Sequence, residues 1–320
     1  MRRAAPLVLA SVLAVGAAAL PASGARAPLA PSPPAGGQPR PAPVVTAVGG
    51  TEPEAAAELP GGGHVLFPGR RLVALYGHPG APSLGVLGEQ GVRAAVVRAR
   101  RVARPYKRLS DAPVVPAFEL IATVAQRSAG RDGDYSGEAS VRKLRPWVRA
   151  ARRAGMYVLL DLQPGRADVL DQAQRYRSLL KEPHVGLAVD PEWKLARGQR
   201  PLGQIGSIDA RELNRASAWL ARLVRRNALP QKLFVVHQFR LSMIGREHRL
   251  RTDRPEVALL IHMDGQGSAP QKHATWRAVK TARPAGVPLG WKNFYDEDTP
   301  TFTPEATMAK RPRPRMISYQ

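Results

Sequence analysis

Eight short apolar segments alternate with amphipathic segments between residue 71 and the end of the chain, and this alternation constrains the fold most strongly. The apolar segments begin at Leu72, Val114, Met156, Val185, Lys232, Val257, Gly286 and Arg315. Nearly continuous apolar runs are typical of strands that are buried on both faces of a parallel sheet. Parallel strands require crossover connections, and eight strand–helix units in ~250 residues match an α/β fold of the (β/α)8 TIM-barrel type. A doubly wound open sheet is the alternative.

The segments between the strands carry apolar residues at helical spacing. Val141, Leu144, Val148 and Ala151 recur every three or four residues, while basic residues occupy the opposite side. Comparable stripes begin at Val92, Val169 and Ala216, and Asp209 with Glu212 predicts a capping box before the last of them. Residues 240–254 show no such stripe, so the crossover between the fifth and sixth strands is the least regular part of the pattern.

The chain begins with features of an exported protein. Arg2 and Arg3 precede an apolar run over residues 7–20, and small residues around Ala27 offer a cleavage site, which predicts a signal peptide over 1–27. A run of this length is shorter than the ~20 residues of a membrane-spanning helix, so no transmembrane anchor is expected after cleavage. Residues 28–64 hold nine Pro and seven Gly and predict a disordered linker. The barrel is assigned to residues 65–320, and a secreted or cell-wall-associated protein is expected.

The charge of the chain is strongly positive. It contains 48 Lys and Arg against 25 Asp and Glu, and its formal net charge is +23. The predicted signal carries three arginines and the linker a net charge of −2, which leaves +22 on residues 65–320. Arginine clusters on the outer helix faces have two interpretations, a solvated surface or attraction to a polyanionic wall polymer. Nucleic acid is not expected as a partner, because export separates the protein from it and few aromatic residues interleave the clusters.

Polar and aromatic residues follow the carboxyl end of every predicted strand. In a barrel these ends form one rim, where active sites are located. We therefore predict a cleft lined by Tyr76, His78, Glu119, Asp161, Gln163, Asp190, Glu192, Trp193, His237, Gln238, Asp264, Trp291, Lys292, Asp296 and Tyr319. Structural roles are the alternatives: Asp161 can cap the next helix, and Lys292 can pair with Asp296 or Glu297.

Carboxylates beside aromatic platforms suit a carbohydrate site. Glycosidic cleavage needs one carboxylic acid to protonate the leaving oxygen and one carboxylate as base or nucleophile. The segment LAVDPEW around Asp190 resembles the strand-four Asp-x-Glu signature of barrel glycoside hydrolases of the chitinase type. In that family the Glu is the acid and the Asp orients the acetamido group of the substrate, which by resemblance implies Glu192 as acid and Asp190 as its partner. The sequence departs from the signature at Ala188, where the family carries another Asp, and at Pro191, which replaces an aromatic residue.

The second carboxylate is left open among Glu119, Asp161, Asp264 and Asp296, with Glu119 and Asp264 preferred as catalytic. The function predicted is a secreted glycoside hydrolase-like protein that acts on a cell-wall or extracellular polysaccharide. A non-catalytic glycan- or wall-binding barrel is the alternative, since a fold does not guarantee catalysis. A metal-dependent hydrolase that uses His78, His237 and His262 is a second alternative, but the chain has no His-x-His pair and no His-Glu-x-x-His helix.

Several other site classes are excluded by missing residues. The chain has no cysteine, which removes disulfides, thiolate metal sites and cysteine nucleophiles. It also has no Gly-x-Ser-x-Gly nucleophile elbow and no phosphate-binding Gly-x-x-x-x-Gly-Lys motif. Gly265 and Gly267 follow a strand, but Pro270 stands where a dinucleotide fingerprint has its third glycine. No cofactor and no metal are therefore expected.

Overall fold

Eight parallel strands close into a barrel. The structure, a computed structural model, describes residues 57–320, so the predicted signal peptide and linker residues 28–56 lie outside the described residues. The strands are β1 (Arg71–Gly77), β2 (Val114–Ala125), β3 (Tyr157–Leu162), β4 (Val185–Val189), β5 (Lys232–Gln238), β6 (Val257–Met263), β7 (Leu289–Asn293) and β8 (Met316–Tyr319). Each strand pairs with the next, and β8 pairs with β1, where Met316 lies opposite Leu72. This closure confirms the predicted eight-stranded barrel over the open sheet.

Helices connect six of the seven successive strand pairs. They are α1 (Val92–Ala103), α2 (Val141–Arg153), α3 (Val169–Arg175), α4 (Arg177–Leu180), α5 (Ala210–Arg226), α6 (Ala269–Ala282) and α7 (Pro304–Met308). The connection from β5 to β6 instead contains two 3-10 turns, Leu241–Met243 and Glu247–Arg249. Three short strands complete the described part: Ser136–Glu138 runs antiparallel to β2, and Ile208–Asp209 pairs with Ile244–Gly245. The missing helix explains why residues 240–254 carry no apolar stripe.

The start of α5 corrects one detail of the sequence prediction. Asp209 caps the helix as expected and accepts a hydrogen bond from the Arg211 backbone at 2.9 Å. Glu212, however, does not return a bond to Asp209. Its Oε1 accepts from Lys194 Nζ at 2.7 Å and from the Val169 backbone at 3.0 Å. The capping box is therefore only half formed, because Glu212 ties α5 to the loop after β4 and to α3.

Two apolar layers lie on either side of the strands. The outer layer combines outward strand residues such as Phe118 with helix residues such as Leu144 and Leu220. The inner layer contains no residue of α1–α7 and includes Ala117 and Val235. Because neighbouring residues of a strand point to opposite faces, every strand except β7 contributes to both layers; β7 contributes Leu289 and Trp291 to the outer layer only.

The amino-terminal end of the barrel is closed by the segment before β1. Leu59 and Leu66 are buried there and belong to the inner apolar layer. The guanidinium of Arg70 donates to the backbone oxygens of Gly62, at 2.6 Å, and Pro60. Leu59, which the sequence analysis assigns to the linker, therefore helps to cover the open end of the barrel.

Candidate functional site

Nine polar side chains form a layer across the barrel above its apolar interior. The inward positions change from Ala117 to Glu119 along β2, and from Val235 to His237 along β5. We call this set the polar layer; it consists of Tyr76, Glu119, Asp161, Asp190, His237, His262, Asp264, Lys292 and Ser318, all of them buried. Every strand contributes a residue from its carboxyl end, so the polar layer lies where barrel active sites are built.

His237 lies between two carboxylates. Its Nδ1 is 2.9 Å from Asp264 Oδ2, and its Nε2 is 3.0 Å from Glu119 Oε1. Burial alone would lower the pKa of His237, but Glu119 and Asp264 outweigh burial and raise it well above its usual value. The imidazole is therefore cationic at neutral pH and donates from both nitrogens. In return, His237 overcomes the effect of burial on Glu119 and lowers the pKa of that carboxyl.

Lys292 supplies the second cation of the polar layer. Its ammonium is 3.1 Å from Asp264 Oδ1 and 3.6 Å from the centre of the Tyr76 ring. Burial would raise the pKa of Asp264, but Lys292 and His237 together hold it far below its usual value. Asp264 thus stays ionised over the whole physiological pH range. The alternative of an ion pair with Asp296 or Glu297 is wrong, because Lys292 points into the barrel and pairs with Asp264.

Asp161 also faces the barrel interior. Its Oδ2 accepts a hydrogen bond from the Tyr76 hydroxyl at 3.0 Å, and its Oδ1 is 3.8 Å from His237 Nε2. Burial raises the pKa of Asp161 to about 6, against the opposing effect of His237. The alternative role as a helix cap is wrong, since Asp168 caps α3 by accepting from the Leu170 backbone at 2.8 Å.

Asp190 and Glu192 are held by a 3-10 turn, Pro191–Trp193, that follows β4. The Oδ1 of Asp190 accepts from the Glu192 backbone at 3.3 Å and so caps the turn. Gly206 donates to the backbone oxygen of Glu192 at 2.7 Å. A side chain at Gly206 would place its Cβ 2.2 Å from the Lys194 backbone oxygen, so only glycine permits this close approach.

Glu192 is the acidic group at the solvent side of the polar layer. It is half-buried, whereas Asp190 is 2% exposed. Burial raises the pKa of Glu192 to about 7, and the ionised Asp264 adds to the shift, while Lys292 opposes it. Burial, together with Glu192, raises the pKa of Asp190 well above its usual value. The site therefore combines a carboxyl that gains and loses a proton near neutral pH with the permanently ionised Asp264.

Three carboxylate oxygens of the polar layer are buried without a hydrogen-bond partner within residues 57–320. They are Glu119 Oε2, Asp161 Oδ1 and Asp264 Oδ1, the last of which is 3.1 Å from the Lys292 ammonium. Buried polar groups are nearly always paired in folded proteins, and leaving one unpaired costs about 1–3 kcal/mol. Free acceptor oxygens in a cluster of this kind suit a ligand that carries several hydroxyl donors.

His262 and Ser318 also belong to the polar layer. The sequence predicts His262 at the end of the sixth strand as a candidate metal ligand, whereas it gives no role to Ser318. His262 Nε2 lies 2.7 Å from the Ser318 hydroxyl, and the imidazole packs edge-on against His237. Burial lowers the pKa of His262 to about 3, so it is neutral. A Cβ at Gly290 would lie 1.9 Å from His262 Nδ1, which means that the ring occupies the space of a missing side chain. The alternation of inward positions along β6 and β8 was the available signal.

Trp291 and Tyr319 do not lie in the polar layer. Each is adjacent to an inward residue of its strand, so it points outward. Trp291 is fully buried in the outer apolar layer and packs against Trp276 and Phe302, with ring centres at 5.6 and 5.0 Å. The Tyr319 hydroxyl bonds with that of Tyr106 in the same layer. Their predicted location at the rim is therefore corrected.

The two predicted glutamines bind protein groups. Gln238 points away from the polar layer because His237 occupies the inward position, and it donates to Glu247 Oε2 at 2.9 Å. The side chain of Gln163 accepts from the Ala125 backbone at 3.0 Å and so ties the ends of β2 and β3 together. Neither amide contacts a residue of the polar layer.

The remaining predicted residues lie at the edge of the rim. His78 is half-buried and lies 2.9 Å from both the Ile121 backbone oxygen and Lys143 Nζ. Trp193 is half-buried in the same turn as Glu192. Asp296 is exposed in the loop after β7 and has no hydrogen-bond partner in the described part of the chain. Of these three residues, only Trp193 lies next to Glu192, because both belong to the same turn.

Asp161 lies beside the strand that carries the Asp-x-Glu segment. In the barrel, Asp161 on β3 is the register partner of Ala188 on β4, and both residues face the interior. Ala188 is the position at which the segment departs from the chitinase-type signature. A carboxylate is thus present beside that position, but the neighbouring strand provides it.

The described residues offer one group with the geometry of a metal site. It consists of Asp132, Asp134 and Glu138, whose ligand atoms lie within 4.8 Å of one another near the short strand after β2. None of His78, His237 and His262 belongs to it. The metal-dependent alternative predicted from these histidines gains no geometric support from residues 57–320.

No protein-family model matches the sequence, and no curated protein matches it. In the part of the chain that the structure describes, no helix has the length and apolar character needed to cross a membrane.

Proposed function

We propose that this protein is a glycoside hydrolase that cleaves an extracellular or cell-wall polysaccharide at the polar layer. The observation that carries the proposal is the pair formed by Glu192 and Asp264. One of these carboxyls has a pKa of about 7, and the other stays ionised. Two carboxyl groups whose pKa values are pushed apart are the requirement for acid and base roles in glycoside cleavage.

Glu192 is the proposed general acid. With a pKa of about 7, a large fraction of its carboxyl is protonated near neutral pH, yet the proton is released without a large energetic cost. Its half-buried position gives a sugar access to the acid from the solvent side. Donation to the glycosidic oxygen lets the leaving sugar depart as a neutral alcohol.

Asp264 is the proposed second carboxylate. It has the largest electrostatic effect of any charged group on the pKa of Glu192, and Lys292 and His237 keep it ionised. A fixed negative charge stabilises the positive character that the sugar carbon develops when the bond breaks. Asp264 can either accept a proton from the attacking water or form a bond to that carbon.

The resemblance at Asp190 and Glu192 supports the same assignment. It implies that Asp190 orients the substrate next to the acid, and the structure caps the turn of Glu192 with Asp190. Asp161 adds a carboxyl beside Ala188, where the signature has its further Asp. The signal-like residues 1–27 favour an exported protein, and a secreted or wall-associated location is part of the proposal.

The test compares two acid-to-amide variants. Glu192→Gln removes the proposed acid, and Asp171→Asn makes the same acid-to-amide change at an exposed position on α3, outside the polar layer. The purified wild-type protein and both variants are incubated with a panel of polysaccharides, and new reducing ends and glycan binding are measured. We expect Glu192→Gln to reduce the rate by about 100-fold or more, and Asp171→Asn to leave it unchanged.

Two outcomes would overturn the proposal. Full activity of Glu192→Gln would remove Glu192 as the acid. Binding of a glycan by the wild-type protein without new reducing ends would favour the non-catalytic glycan-binding barrel instead.

A further inference from the structure

The outer face of α2 carries a concentration of positive charge that the fold does not use. The helix contains six basic and no acidic residues between Val141 and Arg153. Arg142, Arg145 and Arg149, together with Pro146, line a groove on this face. Arg142 and Arg149 are exposed, and neither has a carboxylate partner within the described residues. We call the line of Arg142, Arg145 and Arg149 the arginine track.

The arginine track works against the stability of its own helix. Residues three or four apart on a helix are neighbours, and like charges at these spacings repel. Arg142 and Arg145 form such a pair, and so do Arg145 and Arg149. Only Arg145 has a side-chain hydrogen bond, to the Ser178 hydroxyl at 3.3 Å. A sequence that breaks a local rule without a compensating contact points to a functional use of the residues.

Pro146 makes the groove accessible. It lies inside the helix, among the three arginines. Proline has no backbone N–H, so the Arg142 carbonyl lacks its helical donor. The short ring also leaves space between the longer side chains. An anionic chain can therefore lie against Pro146 and contact guanidinium groups on both sides.

The direction of α2 links the arginine track to the polar layer. The helix starts at the carboxyl end of the barrel, where Lys143 Nζ contacts His78 at 2.9 Å. It ends near the amino-terminal end, where Arg152 pairs with Glu182 before β4. Its 13 residues span about 20 Å. A polymer on the arginine track thus lies along the outside of the barrel, and Arg142 marks the end of the track that is nearer the rim.

We propose that the arginine track binds an acidic polysaccharide with one carboxylate on each sugar, and that this polymer is the substrate class of the barrel. The inference rests on the proposed function for its second part. Arginines three or four residues apart on a helix have Cβ atoms about 5–6 Å apart, so the arginine track offers one positive charge at roughly the spacing of successive sugar rings. Arginine is suited to this role because its planar fork binds a carboxylate through two hydrogen bonds.

The experiment measures binding separately from cleavage. Polygalacturonate and its fully methyl-esterified form have the same backbone, but only the first is charged. Both are titrated into the full chain carrying Glu192→Gln, alone and combined with Arg142→Gln, Arg145→Gln and Arg149→Gln. The matched control replaces Arg222, Arg226 and Arg277, three exposed arginines on α5 and α6, by Gln, and so changes the net charge equally.

We expect the arginine-track variant to weaken polygalacturonate binding by about tenfold or more, and the control variant by less than about threefold. The methyl ester should bind equally weakly to all three proteins. Added salt should weaken the binding of the track-containing proteins most. The arginine-track variant should melt at the same or a higher temperature than its parent, because like-charge repulsion is removed.

Several results would overturn the inference. Equal losses in both triple variants would mean that only the total charge matters. Unchanged binding in the arginine-track variant would exclude this face. Binding of single-stranded DNA that equals that of polygalacturonate, with the same dependence on the track, would refute a glycan-specific site. If binding depends on the arginine track but the wild-type protein cleaves no glycan, the arginine track is retained as a binding site and the proposed function is rejected. If the wild-type protein cleaves a neutral glycan but does not bind polygalacturonate, the proposed function is retained and the arginine track is rejected.

Discussion

The two ends of the barrel bury charged side chains in different ways. At the amino-terminal end, Arg71 donates from Nε to the Pro314 backbone oxygen at 2.7 Å. Lys232 donates to the backbone oxygens of Glu182 and, at 3.3 Å, Pro183. At the carboxyl end, the buried charges of the polar layer face one another, as with His237 between Glu119 and Asp264. At the amino-terminal end, uncharged oxygens accept the hydrogen bonds of Arg71 and Lys232, and the only carboxylate near Arg71 in the described part of the chain is the exposed Asp111 at 3.8 Å. At the carboxyl end, buried opposite charges contact one another directly.

The difference shows why only one end is suited to proton transfer. A backbone oxygen does not titrate, so Lys232 has no titratable partner in direct contact. Burial therefore lowers the pKa of Lys232 to about 7, with only a weak opposing effect from Glu182. In the polar layer, the charges shift each other's pKa values in opposite directions, up for Glu192 and down for Asp264. The second arrangement provides both a proton donor and an ionised carboxylate.

Removing the central cation of the polar layer should have the largest effect. His237→Ala leaves Glu119 and Asp264 buried without their shared partner. Loss of one member of a buried ion pair costs about 3–5 kcal/mol, which urea unfolding can measure. His237→Gln keeps a donor and should recover part of that loss. Equal stability of His237→Ala and the wild-type protein would contradict the assignment of a cationic His237.

The pH profile of activity tests the mutual shifts in the polar layer. Glu192 must be protonated to act as acid, so kcat/KM should fall as the pH rises through about 7. Lys292 lowers the pKa of Glu192, and Lys292→Gln should therefore move this alkaline limb to higher pH. The profile of kcat/KM is measured with the polysaccharide that the wild-type protein cleaves. A limb that moves to lower pH in Lys292→Gln would refute the proposed acid.

Lys232 provides the corresponding test at the amino-terminal end. Its pKa is about 7 in the folded protein and 10.5 when unperturbed. Between these values the unfolded chain binds more protons, so this residue makes stability rise with pH in that window. Lys232→Met should remove up to about 1.4 kcal/mol per pH unit of this slope and leave activity unchanged. Urea unfolding at several pH values measures how stability changes with pH. If Lys232→Met and the wild-type protein show the same change, the lowered pKa of Lys232 would be contradicted.

The smallest effect is expected outside the barrel interior. Tyr319→Phe removes the hydroxyl that bonds with Tyr106 in the outer apolar layer. A lost hydrogen bond of this kind should lower stability by about 0.5–1.5 kcal/mol, measurable by thermal unfolding. The kcat/KM should stay at the wild-type value, because Tyr319 does not reach the polar layer. A large loss of activity with normal stability would restore Tyr319 to the site.

The strands and the end that carries the polar residues could be predicted from the sequence. Buried strands are continuous apolar runs. Glu119 after Ala117, and His237 after Val235, mark where the inward residues change from the inner apolar layer to the polar layer. The alternation of side chains along a strand also indicates which residues face the interior. Lys292 and Trp291 are neighbours, so only one of them can face the interior, and the same holds for His237 and Gln238.

Other features depend on distances across the barrel and could not be predicted. Lys292 is separated in sequence from Asp264 and close to Asp296, yet it pairs with Asp264. The pKa of Glu192, which follows β4, depends on burial and on Asp264, which follows β6. Linear spacing does not show which members of an eight-stranded ring meet at its centre.

The register between Asp161 and Ala188 has a consequence for recognising related proteins. Neighbouring strands are about 4.8 Å apart, so a carboxylate can pass from one strand to the next with little change in its position in space. Along the chain, the same transfer moves the residue to a different segment and breaks any consecutive motif. Proteins that share this arrangement should therefore be sought by comparing the spatial positions of the side chains around the barrel. Such a comparison should not require the residues to occur in the same order along the chain.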